Sequence, residues 1–558
     1  MSTAQQRNEA RRAAAGIVRL SDINIHSSDG TYLLADVYHP AGDKAHPVIV
    51  RLGVYGRAFD DGAITDEASR LASEEREDAW FQRRTSPRIA PMDFYENMVS
   101  ANVSDWVPRG YVCVRVDTRG VGKVPEIIDP ISLQEAKDYF EVVEWAAKQP
   151  WSNGTVGLYG GSYNAVTAWN VASLSPPSLR AIIPFAGDID LYRELLYPGG
   201  LEMVGFLETW LEGNVKAVQG REPETVDVLR RVKQHPFDEP EHYGPNGDVT
   251  YVPICPSAPS KELLIVDANY WPFMYQDCLK QQFDFFDRHL KDDDTVASYP
   301  PVRFIMRSGG GEYEWKDSQW PLSHTKYLEF YLDSSSKGKA GPLSLEVPQE
   351  PAVSVYSAEA PSDPTDDGPC AIFESEPLAE DIELAGPISA VLWVSASSSD
   401  MDVYAVLRVL DPEGKEVSYA VRPLMEGCPL SHGCLKVSHR ATDPNRSTPW
   451  RPWHTHKQKD YAPLAPDEIY SIHVEMTLAT AKVLSGSRIQ LLLEPFSGSS
   501  SSTWKAYGGI ASPENQAKDD KQSVGGHAYD ISYHKRPYFG VVQLHWDLYL
   551  APCGIFLF

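Results

Sequence analysis

The sequence T-V-G-L-Y-G-G-S-Y-N-A, residues 155–165, decides the fold of this chain. Four of its first five residues have branched or aromatic side chains, as buried strands do. Gly160 and Gly161 then permit a turn that is too tight for residues with a side chain. Ser162 falls at the tip of this turn, beside the free N–H groups of a new helix, which predicts a nucleophile. The alternative is a glycine-rich connection in which Ser162 only caps the helix.

Outward from this turn, buried strands alternate with helices. Residues 110–117 and 181–186 predict strands, and the helical periodicity of residues 133–149 predicts an amphipathic helix. Nearer the N-terminus, alternating apolar and polar positions in residues 17–60 predict a hairpin that leads into a central strand. Strands that alternate with helices predict a parallel sheet, with ligands bound at the carboxyl ends of its strands.

The pattern changes in the second half of the chain. Leucine and aromatic residues at helical spacing predict a helical cap over residues 188–250. Beyond a Ser-, Lys- and Gly-rich run near residue 335, short apolar strands separated by turns predict an all-β domain, most simply a jelly roll. We therefore predict an α/β domain in residues 1–335 and a jelly-roll β-sandwich domain in residues 336–558.

Composition excludes several function classes. The 51 basic and 77 acidic residues leave a net charge of −26, which argues against nucleic acid and anionic membranes as partners. The first residues carry Arg and Glu where a signal peptide has an apolar core, and we expect a cytoplasmic protein. Seven scattered cysteines argue against a disulfide framework. Cys428 and Cys434 lie near His432 and His439, but their spacing fits no zinc pattern, and we expect no metal.

Longer sequence words then relate the chain to a family. They span most of the chain and include D-G-T-x-L-x-A-D-V-Y-x-P (29–40), D-T-R-G-x-G (117–122), E-W-A-A-K-Q-P-W-S-N-G-x-V-G-L-Y-G-G-S-Y (144–163), F-F-D-R-H-L-K (285–291) and L-W-V-S-A-S-S-S-D-M-D (392–402). Through these words the sequence resembles the cocaine-esterase and X-Pro dipeptidyl-peptidase type of α/β-hydrolase, in particular its fungal-type members. The resemblance implies that residues 1–335 form an α/β-hydrolase domain.

The resemblance also implies roles for three residues. Ser162 would be the acylated nucleophile, and the backbone N–H of Tyr163 and the hydroxyl of Tyr55 would form the oxyanion hole. The alternative for Tyr55 is a packing role. The implied reaction is acyl transfer from a small-molecule ester or amide, without a metal or an organic cofactor. The turn that begins at Asp117 is expected to shape the sheet edge rather than to take part in the chemistry.

The chain departs from the family where the catalytic acid and histidine are expected. The family has one sequence motif around the catalytic acid and another around the histidine, and neither motif is present between Asp238 and Phe285. This segment is also shorter than in the family pattern. Substitute bases and acids are available elsewhere, namely His235, His242, His289 and His324, and Asp188, Asp190 and Asp267. A milder departure is Ala165, where many members have glycine and where a methyl group crowds the helix against the strand.

These departures leave two function classes open. The first is a serine hydrolase of the esterase or dipeptidyl-peptidase type, weak unless a substitute histidine reaches Ser162, because a serine hydroxyl without a base is a poor nucleophile. The second is a non-hydrolytic tailoring protein of secondary-metabolite biosynthesis, such as a cyclase, isomerase or acyl transferase, or a pseudoenzyme that uses the same pocket. Homo-oligomerisation and the identity of the substrate stay open.

Overall fold

The computed structural model describes residues 13–57, 99–187, 192–201, 210, 215, 262–265, 276–309, 312–318, 328–334, 340–349, 353–357, 370–419, 429–494, 528–532, 541–544 and 555–557. The chain divides into two compact units. The first comprises Met1–Asp190, Glu208–Pro300 and Gly554–Phe558, and the second comprises Leu191–Leu207 and Pro301–Cys553. Most of the cap predicted at residues 188–250 lies outside the described residues.

The first unit is built on a six-stranded sheet with the order β1-β2-β4-β3-β5-β6. Its strands are β1 (Ile17–His26), β2 (Tyr32–Pro40), β3 (His46–Gly53), β4 (Val112–Asp117), β5 (Ser152–Gly161) and β6 (Leu179–Phe185). Strands β1 and β2 form the predicted antiparallel hairpin, and β2 pairs antiparallel with β4. Strands β4, β3, β5 and β6 run parallel, so their carboxyl ends meet at one edge.

Helices of this unit cover the sheet. They are α1 (Val103–Trp106), α2 (Leu133–Ala147), α3 (Tyr163–Ser173) and α4 (Gln276–Lys291). Valine and leucine side chains of β3, β4 and β5 form one core with the inward face of α2 and with α3. Every residue of β4 is buried, as expected for a strand with both faces covered. The short strand β7 (Leu263–Ile265) pairs antiparallel with Ile555–Leu557.

The second unit is dominated by antiparallel strands. In chain order they are β8 (Val302–Gly309), β9 (Glu312–Ser318), β10 (Glu329–Leu332), β11 (Gly341–Ser344), β12 (Val353–Ser357), β13 (Ala371–Glu374), β14 (Ile382–Ala396), β15 (Asp402–Leu410), β16 (Ser431–Lys436), β17 (Tyr470–Val483), β18 (Arg488–Glu494), β19 (Ala528–Ser532) and β20 (Val541–Leu544). The last strand, β21 (Ile555–Leu557), belongs to the first unit.

The longest strands of the second unit hold its core. Strands β14 and β17 pair from Ile382 opposite Val483 to Val394 opposite Tyr470, and β15 lies between β16 and β18. Their inward residues, with those of β13, form one large apolar cluster. An α/β unit built on a largely parallel sheet, together with an all-β unit, confirms the fold class that the sequence predicts, whereas the jelly-roll connectivity and the domain boundaries stay predictions. Among the described residues no helix is long and apolar enough to cross a membrane.

Candidate active site at the Ser162 turn

Ser162 lies between β5 and α3, on the strand-to-helix turn that the sequence predicts. Strand β5 ends at Gly161 and α3 begins at Tyr163. The backbone of Ser162 has φ 55° and ψ −128°, which a residue with a side chain rarely adopts. Its N–H donates to the carbonyl of Phe185 at 3.0 Å, but its side chain makes no capping hydrogen bond. Ser162 therefore stands at the cap position without serving as a side-chain cap.

The glycines before Ser162 are required by close packing. A Cβ atom on Gly160 would lie 2.5 Å from the Asn164 side chain and 2.8 Å from its backbone. A Cβ atom on Gly161 would overlap the ring of Phe185 at the end of β6. Both distances are far below van der Waals contact, so the turn needs two residues without side chains.

Ala165 is accommodated by a second glycine that the sequence analysis did not identify. Ala165 is fully buried in the first turn of α3. Gly187 lies against it, and a Cβ atom on Gly187 would overlap the Ala165 methyl group and lie 2.9 Å from the Ser162 carbonyl oxygen. The space for the methyl group of Ala165 therefore comes from the missing side chain of Gly187.

Tyr55 follows the end of β3, at the same sheet edge as Ser162. Its hydroxyl lies 3.5 Å from Ser162 Oγ and accepts a hydrogen bond from Trp210 Nε1 at 3.2 Å. The side chain is only 7% exposed, and burial raises its pKa above the usual value. Tyr55 therefore stays protonated at neutral pH and can donate a hydrogen bond to a negatively charged oxygen beside Ser162.

Tyr163 is held from behind by a buried carboxyl group. Its hydroxyl donates to Glu135 Oε2 at 2.6 Å and accepts from the backbone N–H of Ile131 at 3.0 Å. Its ring stacks on Trp210, with centroids 5.8 Å apart, and meets the ring of Tyr55 edge to face at 6.0 Å. Both candidate oxyanion residues thus belong to one aromatic cluster.

Glu135 is a buried residue of this site that sequence reasoning missed. Burial raises its pKa to about 7, although hydrogen bonds from Tyr163, the Ile131 N–H and Thr118 favour the charged form. A signal was present in the sequence, since S-L-Q-E at residues 132–135 has the form of a capping box. The Glu135 N–H does donate to Ser132 Oγ at 3.1 Å, but the carboxylate is used by Tyr163.

The turn that begins at Asp117 is held by ion pairs. Asp117 accepts hydrogen bonds from the backbone and the side chain of Arg57, and Arg57 also contacts Asp36 at 2.7 Å. Arg119 binds Asp138 of α2 through two nitrogens, at 2.6 and 2.7 Å. The charged groups of Asp117 and Arg119 thus hold this turn against β2 and α2.

The candidate bases and acids lie mostly outside the described residues, namely His235, His242, His324, Asp188, Asp190 and Asp267. Within the described part of the chain, the side-chain partner of Ser162 Oγ is Tyr55, and no histidine hydrogen-bonds to it. His289, on α4, packs its ring against Phe285 at 4.5 Å. The source of a general base therefore stays a prediction.

The second unit holds a separate cluster of histidines. His439 Nδ1 and His456 Nδ1 lie 3.3 Å apart, and His454 Nε2 donates to the carbonyl of His473 at 2.8 Å. Burial lowers the pKa of His439, His454 and His456, the last well below its usual value. The described residues contain no group of three or more His, Cys, Asp or Glu that could hold a metal ion.

Two family profiles match the chain. The profile of the X-Pro dipeptidyl-peptidase (S15 family) matches residues 29–276. The profile of the X-Pro dipeptidyl-peptidase C-terminal non-catalytic domain matches residues 294–523. Tyr55, Ser162 and Tyr163 all lie in the first range.

The chain is also similar to individual esterases and dipeptidyl-peptidases over most of its length. The chain is 25% identical to a cocaine esterase of Rhodococcus sp. (strain MB1 Bresler), over 84% of this chain and 89% of the relative. It is 21% identical to a putative Xaa-Pro dipeptidyl-peptidase of Streptomyces avermitilis, over 72% and 68%. The solved structure of a CocE/NonD family hydrolase from Staphylococcus aureus has a TM-score of 0.74 and 25% identity, over 94% of this chain and 93% of that one.

Proposed function

The chain belongs to the X-Pro dipeptidyl-peptidase (S15) family of hydrolases, and we propose that it transfers the acyl group of a small ester or amide to Ser162. In this reaction Ser162 Oγ attacks the carbonyl carbon and forms a tetrahedral oxyanion. Collapse of the intermediate breaks the bond to the alcohol or amine, which leaves with a proton. Water then hydrolyses the acyl-enzyme by the same route and restores the serine.

The observation that carries this proposal is the arrangement of Ser162 and Tyr55. The serine hydroxyl is held on a turn of unfavourable backbone conformation, makes no capping bond and lies 3.5 Å from the Tyr55 hydroxyl. The backbone N–H of Tyr163, the first residue of α3, has no earlier helical turn to bond to and is the second proposed donor. Donors placed where negative charge develops are each worth on the order of 3 kcal/mol of transition-state stabilisation.

The general base is the open element of the mechanism. Acyl transfer at neutral pH requires a group that takes the proton of Ser162 Oγ, and the family pattern for that group is absent between Asp238 and Phe285. We propose that the base is His235 or His242, with substrate choice set by residues of the cap at 188–250. Without either histidine, turnover falls to the residual rate that the oxyanion hole and binding supply.

A fluorophosphonate probe tests the nucleophile. Such probes phosphonylate an activated serine, so wild type should be labelled on the peptide that contains Ser162. Ser162→Ala should lose the label, whereas the matched variant Ser173→Ala, at the other end of α3, should keep it because that hydroxyl donates to the Asn170 carbonyl instead. Equal labelling of wild type and Ser162→Ala would remove Ser162 from the mechanism.

The same probe tests the base. His235→Ala and His242→Ala are compared with His289→Ala, whose ring packs on Phe285. A rate of labelling that falls in one of the first two variants alone identifies the base. A rate that is unchanged in both overturns the assignment of either histidine, while labelling of wild type still supports acyl transfer. Rates on p-nitrophenyl esters and on X-Pro p-nitroanilides then separate an esterase from a dipeptidyl-peptidase.

A further inference from the structure

We propose that Glu135 is a positioning residue for the oxyanion hole and that it acts through the hydroxyl of Tyr163. The inference rests on the acyl-transfer function proposed for Ser162. Glu135 itself touches neither Ser162 nor Tyr55 among its described contacts, so its effect has to pass through another side chain.

The first step of the argument is the double engagement of Tyr163. Its backbone N–H stands next to Ser162, at the start of α3. Its hydroxyl is the far end of the same residue and bonds to Glu135 Oε2 at 2.6 Å, the usual length of a charge-assisted bond to a carboxylate. The ring is buried in a packed cluster that limits its rotation, so a change at the hydroxyl is transmitted to the turn.

The second step is the packing that links both donors. The Tyr163 ring contacts both Trp210, stacked at 5.8 Å, and Tyr55, edge to face at 6.0 Å. Trp210 Nε1 also donates to the Tyr55 hydroxyl at 3.2 Å. A shift of the Tyr163 ring would therefore displace the Tyr55 hydroxyl as well as the Tyr163 N–H.

The third step is that Glu135 is itself firmly placed. It lies in the first turn of α2, and its Oε2 accepts a second hydrogen bond from the Ile131 N–H at 2.8 Å. Ile131 has φ 64°, in the left-handed region that a β-branched residue rarely adopts. The carboxyl group thus ties together a strained loop residue, α2 and Tyr163.

The charge of Glu135 sets the strength of its hydrogen bond with the Tyr163 hydroxyl. The ionisable groups that face it are Tyr163, Tyr139 and Asp138, and Asp138, although paired with Arg119, adds to the rise in the pKa of Glu135. A carboxylate is a stronger acceptor for the Tyr163 hydroxyl than a neutral carboxyl group. Because burial raises the pKa of Glu135 to about 7, the carboxyl group loses its proton as pH rises through neutrality. The hydrogen bond from the Tyr163 hydroxyl should then become stronger.

The test compares Glu135→Gln with Glu141→Gln. Both residues lie on α2 and accept hydrogen bonds, but the carboxylate of Glu141 binds Ser27 and Ser28 instead of Tyr163. We expect Glu135→Gln to lower kcat on a p-nitrophenyl ester about tenfold with KM within about twofold, less than the loss of a whole oxyanion donor. Glu141→Gln should keep wild-type kcat. In Tyr163→Phe the further change Glu135→Gln should have no added effect, since the two groups act as a unit.

A second readout separates positioning from general stability. The difference in fluorescence between a protein and its Trp210→Phe variant is the signal of the tryptophan stacked on Tyr163. We expect this signal to change with pH near pH 7 in wild type and in Glu141→Gln, but not in Glu135→Gln. If wild type is labelled at Ser162 and Glu135→Gln matches Glu141→Gln in both kcat and titration, the positioning role is overturned and acyl transfer stands. If wild type is not labelled at Ser162, acyl transfer fails and the positioning role fails with it.

Discussion

The Ser162 turn and the histidine cluster of the second unit both contain buried titratable side chains. They differ in the hydrogen bonds that their polar groups make. Both pack side chains closely against glycines; a Cβ atom on Gly200, for example, would lie 2.8 Å from His439 Cγ. In the histidine cluster, the ring of His439 bonds to the ring of His456, and the ring of His454 bonds to the backbone carbonyl of His473. At the turn, the Ser162 hydroxyl makes no capping bond and faces one protonated donor.

This difference shows which observations identify a reactive site. Buried groups with shifted pKa values are found in both regions, so a shift alone is poor evidence for catalysis. The informative combination is a nucleophile without a competing hydrogen bond, a strained backbone that exposes it and a donor beside it. The following predictions test whether the two regions differ in this way.

The largest expected effect is that of Ser162→Ala. Removing the hydroxyl leaves no atom to carry the acyl group, so ester turnover should fall by about 10³-fold or more, to the level that binding alone supplies. Steady-state kinetics on a p-nitrophenyl ester measures this, with Ser173→Ala as the control that keeps activity. Turnover in Ser162→Ala equal to wild type would place the reaction elsewhere and erase the contrast between the two regions.

The next largest effect is that of Tyr55→Phe. Loss of an oxyanion donor should lower kcat by about 10²-fold to 10³-fold while the fold is kept. Tyr139→Phe is the matched control, because its buried hydroxyl donates to the Val50 carbonyl at 2.9 Å and its loss should lower the melting temperature rather than kcat. A Tyr55→Phe enzyme with normal kcat and lowered stability would show that Tyr55 has a packing role.

A smaller effect is expected from Gly187→Ala. The new methyl group would overlap that of Ala165, and overpacking of this kind costs about 1–3 kcal/mol in the free energy of unfolding. The double variant Ala165→Gly with Gly187→Ala removes this overlap but keeps the new methyl group 2.9 Å from the Ser162 carbonyl oxygen, so it should recover part of the loss. Urea denaturation of the three proteins measures it; a double variant no more stable than Gly187→Ala would show that the two sites do not share this space.

The smallest effect concerns the histidine cluster. Histidines of the unfolded chain take up protons below about pH 6.5, whereas burial lowers the pKa of His456 and brings that of His473 to about 4. The unfolded state therefore binds more protons as pH falls from 6.5 towards 4, and stability should decrease by on the order of 1 kcal/mol per pH unit for each such group.

His456→Asn tests this assignment. Asparagine does not titrate and tolerates the left-handed backbone of His456, where φ is 48°. The melting temperature of the variant should fall less steeply between pH 6.5 and 4 than that of wild type, and labelling at Ser162 at pH 7.5 should not change. An unchanged slope would mean that His456 does not contribute to acid sensitivity, and altered labelling would mean that the cluster supports the reaction.

The sequence predicts local features well. The strand, the glycine turn and the helix start around Ser162 depend on neighbouring residues, and β5 and α3 meet at the predicted position. The amphipathic helix expected at 133–149 is found as α2, Leu133–Ala147. Strand and helix patterns of this kind are short-range, so the periodicity of side chains is enough to place them.

The sequence could not predict the contacts that complete the site. Glu135 and Tyr163 are 28 residues apart, and Trp210 reaches Tyr55 across 155 residues. Such contacts depend on how helices pack over the sheet, which a single sequence does not encode in any local pattern. The capping-box spacing at Ser132 predicts a helix start, and the second use of its glutamate becomes visible only when Tyr163 lies beside it.

The pairing of Ala165 with Gly187 also constrains the order in which this region can change. A side chain at position 187 destabilises the fold while position 165 carries a methyl group, because the two overlap. If position 165 becomes glycine first, the intermediate with glycine at both positions carries a small cavity rather than a clash. Moving the methyl group from one position to the other therefore takes two substitutions, and the overlap is avoided when Ala165→Gly comes first.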